Sequence, residues 1–286
     1  IAIQKPEKPA SDHNSYRPIA MLSCLRKLLE KMILSRLDHW VESNNMLSST
    51  QFGFRKDIGT NDCLALLSSD IQLAFADKEQ LASVFLDIKG AFDSVSIEIF
   101  SENLHNSGLP GTLNNFLYNL LSEKHMSFTL GQLTTSRISY MGLPQGSCLS
   151  PLLYNFYVKD IDNCLEEPCT LRQLADDAVV SMKVPRAEIL QRPLQNSLDN
   201  LSIWARNLGI KIAPQLVVFS RKRNPAQLKL KLLGTDIDQS LTTKYLGVWF
   251  DSKGTWQTHI GYVTENCQQR INFLRTITGT WWGAHP

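Results

Sequence analysis

The chain has 286 residues, 43% hydrophobic and 20% charged, with a formal net charge of +2. This is the composition of a folded globular chain, and it excludes a low-complexity or highly charged disordered polymer. No apolar run approaches the ~18–20 residues that a membrane span requires, and no signal-peptide pattern opens the sequence.

Residues 1–18, rich in Pro, Lys and Ser, read as an extended lead-in segment. Leu22, Leu25, Leu29, Ile33, Leu37 and Trp40 recur at helical spacing, and Ser43-Asn44-Asn45 ends the run. Residues 62–77 repeat the pattern with Leu64, Leu67, Ile71 and Phe75. Residues 81–87 (LASVFLD) form a short apolar run closed by a carboxylate, the pattern of a buried strand. A helical stretch over 94–123 is interrupted at Gly108-Leu109-Pro110, and alternation over 126–140 suggests a hairpin. LPQGSCLSP (143–151) is a loop leading into an apolar helix, LLYNFYVKDI. A second hairpin is expected over 170–183, a helix over 187–208 stopped by Gly209, strands at 215–220, 227–233 and 244–250, and a last helix over 257–277. Strands scattered among helices predict an α+β fold.

The six cysteines form no Cys-x-x-Cys pair and have no histidine at zinc-finger spacing, so free thiols and an intracellular setting are expected. Ile1 in place of Met and the ending TWWGAHP point to a segment of a longer polypeptide. From Lys211 to Lys231 six basic residues occur with no acid among them, which reads as a solvated face or as a track for phosphates.

The chemistry lies in the carboxylates. Asp87 closes one apolar run, and Asp176 and Asp177 interrupt another, QLADDAVV. Adjacent aspartates are a turn signal, and they are equally what a metal site at a hairpin tip needs. If the two strand ends meet, three carboxylates converge, and their repulsion raises their pKa values unless a divalent cation neutralises it. Mg²⁺ suits a few carboxylates combined with waters and substrate phosphates, and two such ions serve phosphoryl transfer. Spacing alone does not show that the strands meet.

The ordered blocks NSYRPIAMLSCLRKLLEKMI (14–33), QFGFR (51–55), FLDIKGAFDSV (85–95), LPQGSCLSPLLYNFY (143–157), LADD (174–177), WARNLGIKI (204–212) and KYLGVWFD (244–251) resemble the reverse-transcriptase domain of non-LTR (LINE-type) retrotransposons. The resemblance implies a right-hand polymerase: fingers over 1–80, a palm with an antiparallel sheet and inserted fingers elements over 81–256, and the start of a thumb over 257–286. It implies RNA-directed DNA polymerase activity with two Mg²⁺ ions, or Mn²⁺, and as partners an RNA template, a DNA primer or target DNA, and dNTPs. An endonuclease is expected elsewhere in the full-length polyprotein, which would work in the nucleus and in cytoplasmic ribonucleoprotein.

Residue by residue, Asp87 and Asp176 match the metal-binding palm aspartates, Asp177 the adjacent supporting carboxylate, and Ile88 a backbone-carbonyl ligand. Phe92 matches the steric gate against a ribose 2′-hydroxyl. Gln145 and Gly146 match the nascent base-pair pocket, and Arg55 a fingers contact to template and nucleotide. Lys244, Tyr245, Leu246 and Gly247 match the primer-grip hairpin, with which the palm ends. Asp93 is read instead as a helix cap. The sequence departs from the family after Pro214, where the link is about three residues short and the family's lysine is missing. Lys211 lies before the gap and does not match it. Leu174 stands where many relatives carry an aromatic residue. The shortened link keeps open an alternative, a decayed copy that only binds RNA.

Overall fold

The computed structural model describes residues 1–5, 9–12, 15–130, 132–184 and 187–278. Its centre is a five-stranded sheet built from β3 (Gln80–Lys89), β6 (Thr170–Leu174), β7 (Asp177–Val184), β8 (Lys211–Phe219) and β11 (Gln239–Ser240), in the order β11-β8-β3-β7-β6. All neighbours are antiparallel except β11, which runs parallel to β8. β3 is central because both its faces are apolar: Gln80 to Leu86 are all buried. Its one mid-strand hydroxyl, Ser83, is satisfied by Ser181 on β7 at 2.9 Å.

The two faces of the sheet are covered differently. One packs Leu81, Phe85, Val179, Val217 and Phe219 against α2 (Thr60–Ala76) and against the hairpin of β12 (Thr242–Tyr245) and β13 (Val248–Asp251). The other packs Ala82, Val84, Leu86, Val180, Leu216 and Val218 against α6 (Ala187–Leu208), whose Leu194, Leu198 and Leu201 point inward. A further cluster joins α1 (Cys24–Ser43), α3 (Ile97–Asn106), α4 (Gly111–Leu121) and α5 (Ser150–Tyr157) around Val95, Leu117, Tyr154 and Phe156. The remaining elements are small: β1 (Ala2–Gln4) pairs with β2 (Tyr16–Pro18), β4 (Lys124–Leu130) with β5 (Leu133–Ser139), and β9 (Lys231–Leu232) with β10 (Thr235–Asp236). The chain closes on α7 (Gln257–Ile277), which buries no residue. No helix among the described residues is long and apolar enough to cross a membrane.

Four expectations need correction. The apolar stripe of α1 does not bury evenly: Ile33, Leu37 and Val41 are core, whereas Leu25 is 79% exposed and Leu29 42%. The stretch 244–250, which pattern alone reads as one strand and the resemblance reads as a hairpin, is a hairpin turning at Leu246-Gly247, both with positive φ, as a two-residue type I′ connection needs. The expected strand over 227–233 shrinks to the two residues of β9. The strand expected from 215 begins at Lys211, and β8 pairs with β3 without interruption from Lys211 to Phe219. The short link therefore causes no register break. Pro214 is accommodated because β11 reaches only Leu216 and Val217, so the missing N–H falls on an open edge.

Candidate active site

β3 and β7 bring the aspartates together by register, with Asp87 directly opposite Asp177. Cross-strand partners of this kind have Cβ atoms about 4.5–5.5 Å apart on one face of the sheet. Leu174 pairs with Asp177, which leaves Ala175 and Asp176 as the two-residue turn between β6 and β7. The amide of Ile88 donates to the carbonyl of Asp176 at 3.2 Å, so the end of β3 is hydrogen-bonded to the turn itself. Ile88 is buried while Asp87 and Lys89 on either side of it are exposed, so the aspartate faces the open side of the sheet. Turn and charge cluster are one feature: the turn is what carries Asp176 to Asp87.

The turn is held from behind by the QFGFR stretch. Ala175 has φ +57, a backbone state that a non-glycine residue adopts only at a cost of about 1–2 kcal/mol. Gln51 offsets this: its side-chain Oε1 accepts from the amides of both Ala175 (3.0 Å) and Gly53 (2.8 Å). Asn155 on α5 donates to the Gly53 carbonyl at 2.7 Å. Backbone bonds from Phe52 to the Gln173 carbonyl (2.8 Å) and from Gln173 to the Thr50 carbonyl (2.9 Å) lay the stretch along β6. Gly53 is obligatory here, because a Cβ would lie 2.5 Å from the Ala175 nitrogen. Neither Gln51 nor Asn155 was singled out from sequence. Both are buried amides inside the quoted blocks, and that was the available signal.

Electrostatics register the crowding. Burial, then Asp176 and then Asp87 push the Asp177 carboxyl up to about 6. Asp176 is also raised, first by burial and also by Asp87, while Arg17 draws it down. Arg17 is thus a cation within electrostatic reach of Asp176, and the sequence reading missed it. The phenol of Tyr154, fully buried, is raised by burial and then by Asp176. Among the described residues no group of three or more His, Cys, Asp or Glu side chains stands as a ready metal cage. Mg²⁺ does not need one, since it is usually held by one or two carboxylates with waters and substrate phosphates. An open cluster of exposed Asp87 beside half-buried Asp176 and Asp177 is a donor set of that kind.

The other predicted residues divide. Phe92 is half-buried, its ring centroid 5.3 Å from that of Tyr154, and its carbonyl accepts from Leu143 at 2.6 Å. The Nε2 of Gln145 lies 3.4 Å from both carboxylate oxygens of Asp93, and the Gln145 carbonyl accepts from Ala20 at 2.7 Å. Gly146 has φ +108 and lies so close to Ala20 that a Cβ would sit 2.9 Å from its carbonyl oxygen. Glu30 on α1, 1% exposed, accepts from Ser147 at 2.8 Å and pairs with Arg26 at 3.0 Å, fixing the same loop. Asp93 caps no helix: Ser96 does, accepting from the Ile99 amide.

Arg55 donates to the Ser48 carbonyl (3.1 Å) and pairs with Glu42 (3.2 Å), so its guanidinium ties the loop to α1 rather than pointing to a nucleotide. Tyr245 is not a surface contact either. It is 3% exposed, packs on Phe85 at 5.3 Å and bonds Cys63, because position 245 faces the sheet. Lys244 is exposed, with its ammonium 4.6 Å above the Tyr262 ring and 5.9 Å from that of Trp249. Leu246 and Gly247 form the hairpin tip.

The sequence pattern of the reverse transcriptase (RNA-dependent DNA polymerase) family matches residues 3–250. The chain belongs to the reverse transcriptase family. It is 32% identical to a probable RNA-directed DNA polymerase from the transposon BS of Drosophila melanogaster, over 97% of this chain and 32% of that protein. It is 29% identical to the RNA-directed DNA polymerase from the mobile element jockey of the same species, over 95% of this chain and 30% of that protein. The reverse transcriptase chain therefore spans about a third of the length of these relatives. Among solved structures, telomerases from Candida tropicalis and Candida albicans align with TM-scores of 0.49 and 0.46 at 12% and 14% identity. They cover 75% and 85% of this chain, and 36% and 42% of theirs. The fold is the right-hand polymerase fold of the family, α+β with an antiparallel palm sheet. Reverse transcriptases work with divalent metal ions.

Proposed function

We propose that this chain is the polymerase domain of a non-LTR retrotransposon protein, extending a DNA primer on an RNA template from dNTPs. The observation that supports it best is the register that sets Asp87 against Asp177, with Asp176 in the intervening turn. Asp87 and Asp176 would hold Mg²⁺, with the Ile88 carbonyl as a further oxygen ligand; bound there, the metal supplies a lowered pKa for the primer 3′-hydroxyl and charge neutralisation at the phosphate. Everything else is positioning by the protein. Asp177 adds negative charge to the cluster, which strengthens its call for a cation. Gln51 and Gly53 fix the turn, and Phe92 on Tyr154 presents an aromatic edge where a 2′-hydroxyl would crowd. Gln145, anchored through Ala20, lines the base-pair pocket.

Residues 1–80 would be fingers, 81–256 palm, and 257–286 the start of a thumb; of the last, residues 279–286 lie outside the described residues. The hairpin at Lys244–Gly247 would meet the primer through Lys244 and its tip. The endonuclease and the nuclear and ribonucleoprotein setting belong to this proposal through the family alone. The test is primer extension with Mg²⁺ on oligo(dT) annealed to poly(rA). The proposal expects incorporation of dTTP and little of rUTP. Duplex binding without any extension would favour an RNA-binding remnant instead.

A further inference from the structure

The acid-free basic run does not lie along one surface. Lys211 starts β8 at the aspartate end of the sheet, and Lys231 pairs with Asp236 at 3.6 Å. The middle of the run, Arg221-Lys222-Arg223, leaves the far end of β8, where Phe219 pairs with Leu81. That pair stands six residues along β3 from the Asp87–Ala213 pair, roughly 20 Å.

Three segments meet at this far corner around Phe75, near the end of α2. The Arg221 guanidinium lies 4.7 Å from the ring centroid, and a Cβ on Gly254 would sit 2.9 Å from the same ring. The Lys78 amide donates to the Phe75 carbonyl at 3.2 Å. The Ser220 amide donates to the Ser252 carbonyl at 2.8 Å, and the Lys253 ammonium donates to the Lys222 carbonyl at 2.7 Å. Gln80 holds the loop from its other end, its Oε1 accepting from the Ala226 amide at 2.8 Å. Lys78, Arg221, Lys222, Arg223 and Lys253 are thereby gathered together, and all are exposed. The acids nearby are engaged elsewhere or set back. Asp77 pairs with Lys183 at 3.2 Å, and the Asp251 carboxylate accepts from the amides of Lys253, Thr255 and Trp256. Glu79 is half-buried. Among the described residues, the side chains of Lys78, Lys222 and Arg223 make no hydrogen bond or ion pair. Crowded like charges repel, and an anion bound among them relieves that repulsion.

We propose that this corner binds the phosphate backbone of a nucleic-acid strand, at a site separate from the aspartate cluster. The proposal goes beyond the polymerase reading and does not depend on it. A guanidinium held against Phe75 is fixed in place, with its N–H edge left for phosphate oxygens. The free cations around it supply the sequence-independent contacts that position a strand. Roughly 20 Å is about six nucleotides of strand, so a single nucleotide bound at the aspartates does not reach the corner.

The test is fluorescence anisotropy of labelled oligo(rU) and oligo(dT), each about 30 nucleotides long, titrated with the 286-residue chain at several salt concentrations. The Lys78→Gln/Lys222→Gln/Arg223→Gln protein is expected to bind oligo(rU) at least tenfold more weakly in about 0.1 M salt. Its plot of log affinity against log salt should be shallower by about 2, since each lost phosphate contact removes about 0.7. Its melting temperature should be unchanged, because these side chains bond nothing on the protein. The Lys229→Gln/Lys231→Gln protein loses charge from the same run outside the corner and should stay within twofold of the unmutated affinity. Unchanged affinity and slope in the triple variant overturn the site. So does an equal loss in the Lys229/Lys231 control, which would make the effect one of net charge. A loss shared by oligo(dT) supports a phosphate site indifferent to the sugar, and a loss confined to oligo(rU) supports it with RNA as the strand.

Discussion

The smallest change that reaches the chemistry is Gly53→Ala. The added methyl would lie 2.5 Å from the Ala175 nitrogen, 3.0 Å from the Gln51 Oε1 and 3.2 Å from the Leu174 carbonyl carbon. Ordinary contact begins at 3.4 Å, so the QFGFR stretch and the turn must part by about 0.9 Å, and the atom in the way is backbone. That backbone belongs to the turn that carries Asp176, and it is already in a positive-φ state that Gln51 supports. Overpacking of this kind costs about 1–3 kcal/mol of stability. A displacement near 1 Å at a catalytic group costs on the order of 100-fold in rate. Single-nucleotide incorporation with saturating dTTP reads the rate, and thermal melting reads the fold. Gly111→Ala is the control, because nothing lies within 4 Å of its Cβ position at the start of α4; it should be neutral or stabilising by up to about 1 kcal/mol. A Gly53→Ala protein with kcat within threefold of the unmutated enzyme would refute the claim that this stretch sets the turn.

Three further perturbations separate the parts. The raised Asp177 carboxyl means the folded protein keeps its proton longer than the unfolded chain, so stability falls as pH climbs from about 4 to about 6 and the whole penalty is present above that. Asp177→Asn should therefore stabilise the metal-free protein at pH 7.5 by about 1–2 kcal/mol, a figure discounted for partial exposure, with no gain at pH 4; a gain that is equal at both pH values would remove the electrostatic explanation. Phe92→Ala should raise rUTP incorporation relative to dTTP by about tenfold or more, and unchanged discrimination would leave the ring as packing on Tyr154 alone. Glu30→Ala strips a buried partner from Ser147 and Arg26 and should cost about 2–4 kcal/mol in urea unfolding; a cost under 0.5 kcal/mol would show that the loop needs no anchor.

The sequence made the main elements and the aspartate trio legible because both follow from local pattern. β3 is apolar up to Asp87, α2 keeps strict helical spacing, and the A-D-D pair interrupts an apolar run. What it hid was long-range. Arg55 and Tyr245 sit in sequence blocks that carry function, yet one is spent on Glu42 and the other on Phe85 and Cys63, partners 13 and more residues away. The exposed amino-terminal half of α1 has the same periodicity as its buried half, so pattern alone could not divide them. Gln51 and Asn155 are ordinary amides until the turn they brace is in view. The shortened link after Pro214 suggested a slipped strand, but pairing with β3 across all of β8, on both sides of Pro214, fixes the register.

The central claim is that Asp87 and Asp176 work as one site. Single-turnover incorporation of dTTP on primed poly(rA), with Mg²⁺, by the unmutated chain and by Asp87→Asn and Asp176→Asn proteins tests it most directly. The account predicts a loss of at least 1,000-fold in each variant, on the order expected for losing a metal's contribution to phosphoryl transfer, with duplex affinity retained. Incorporation within tenfold of the unmutated rate in either variant would contradict it.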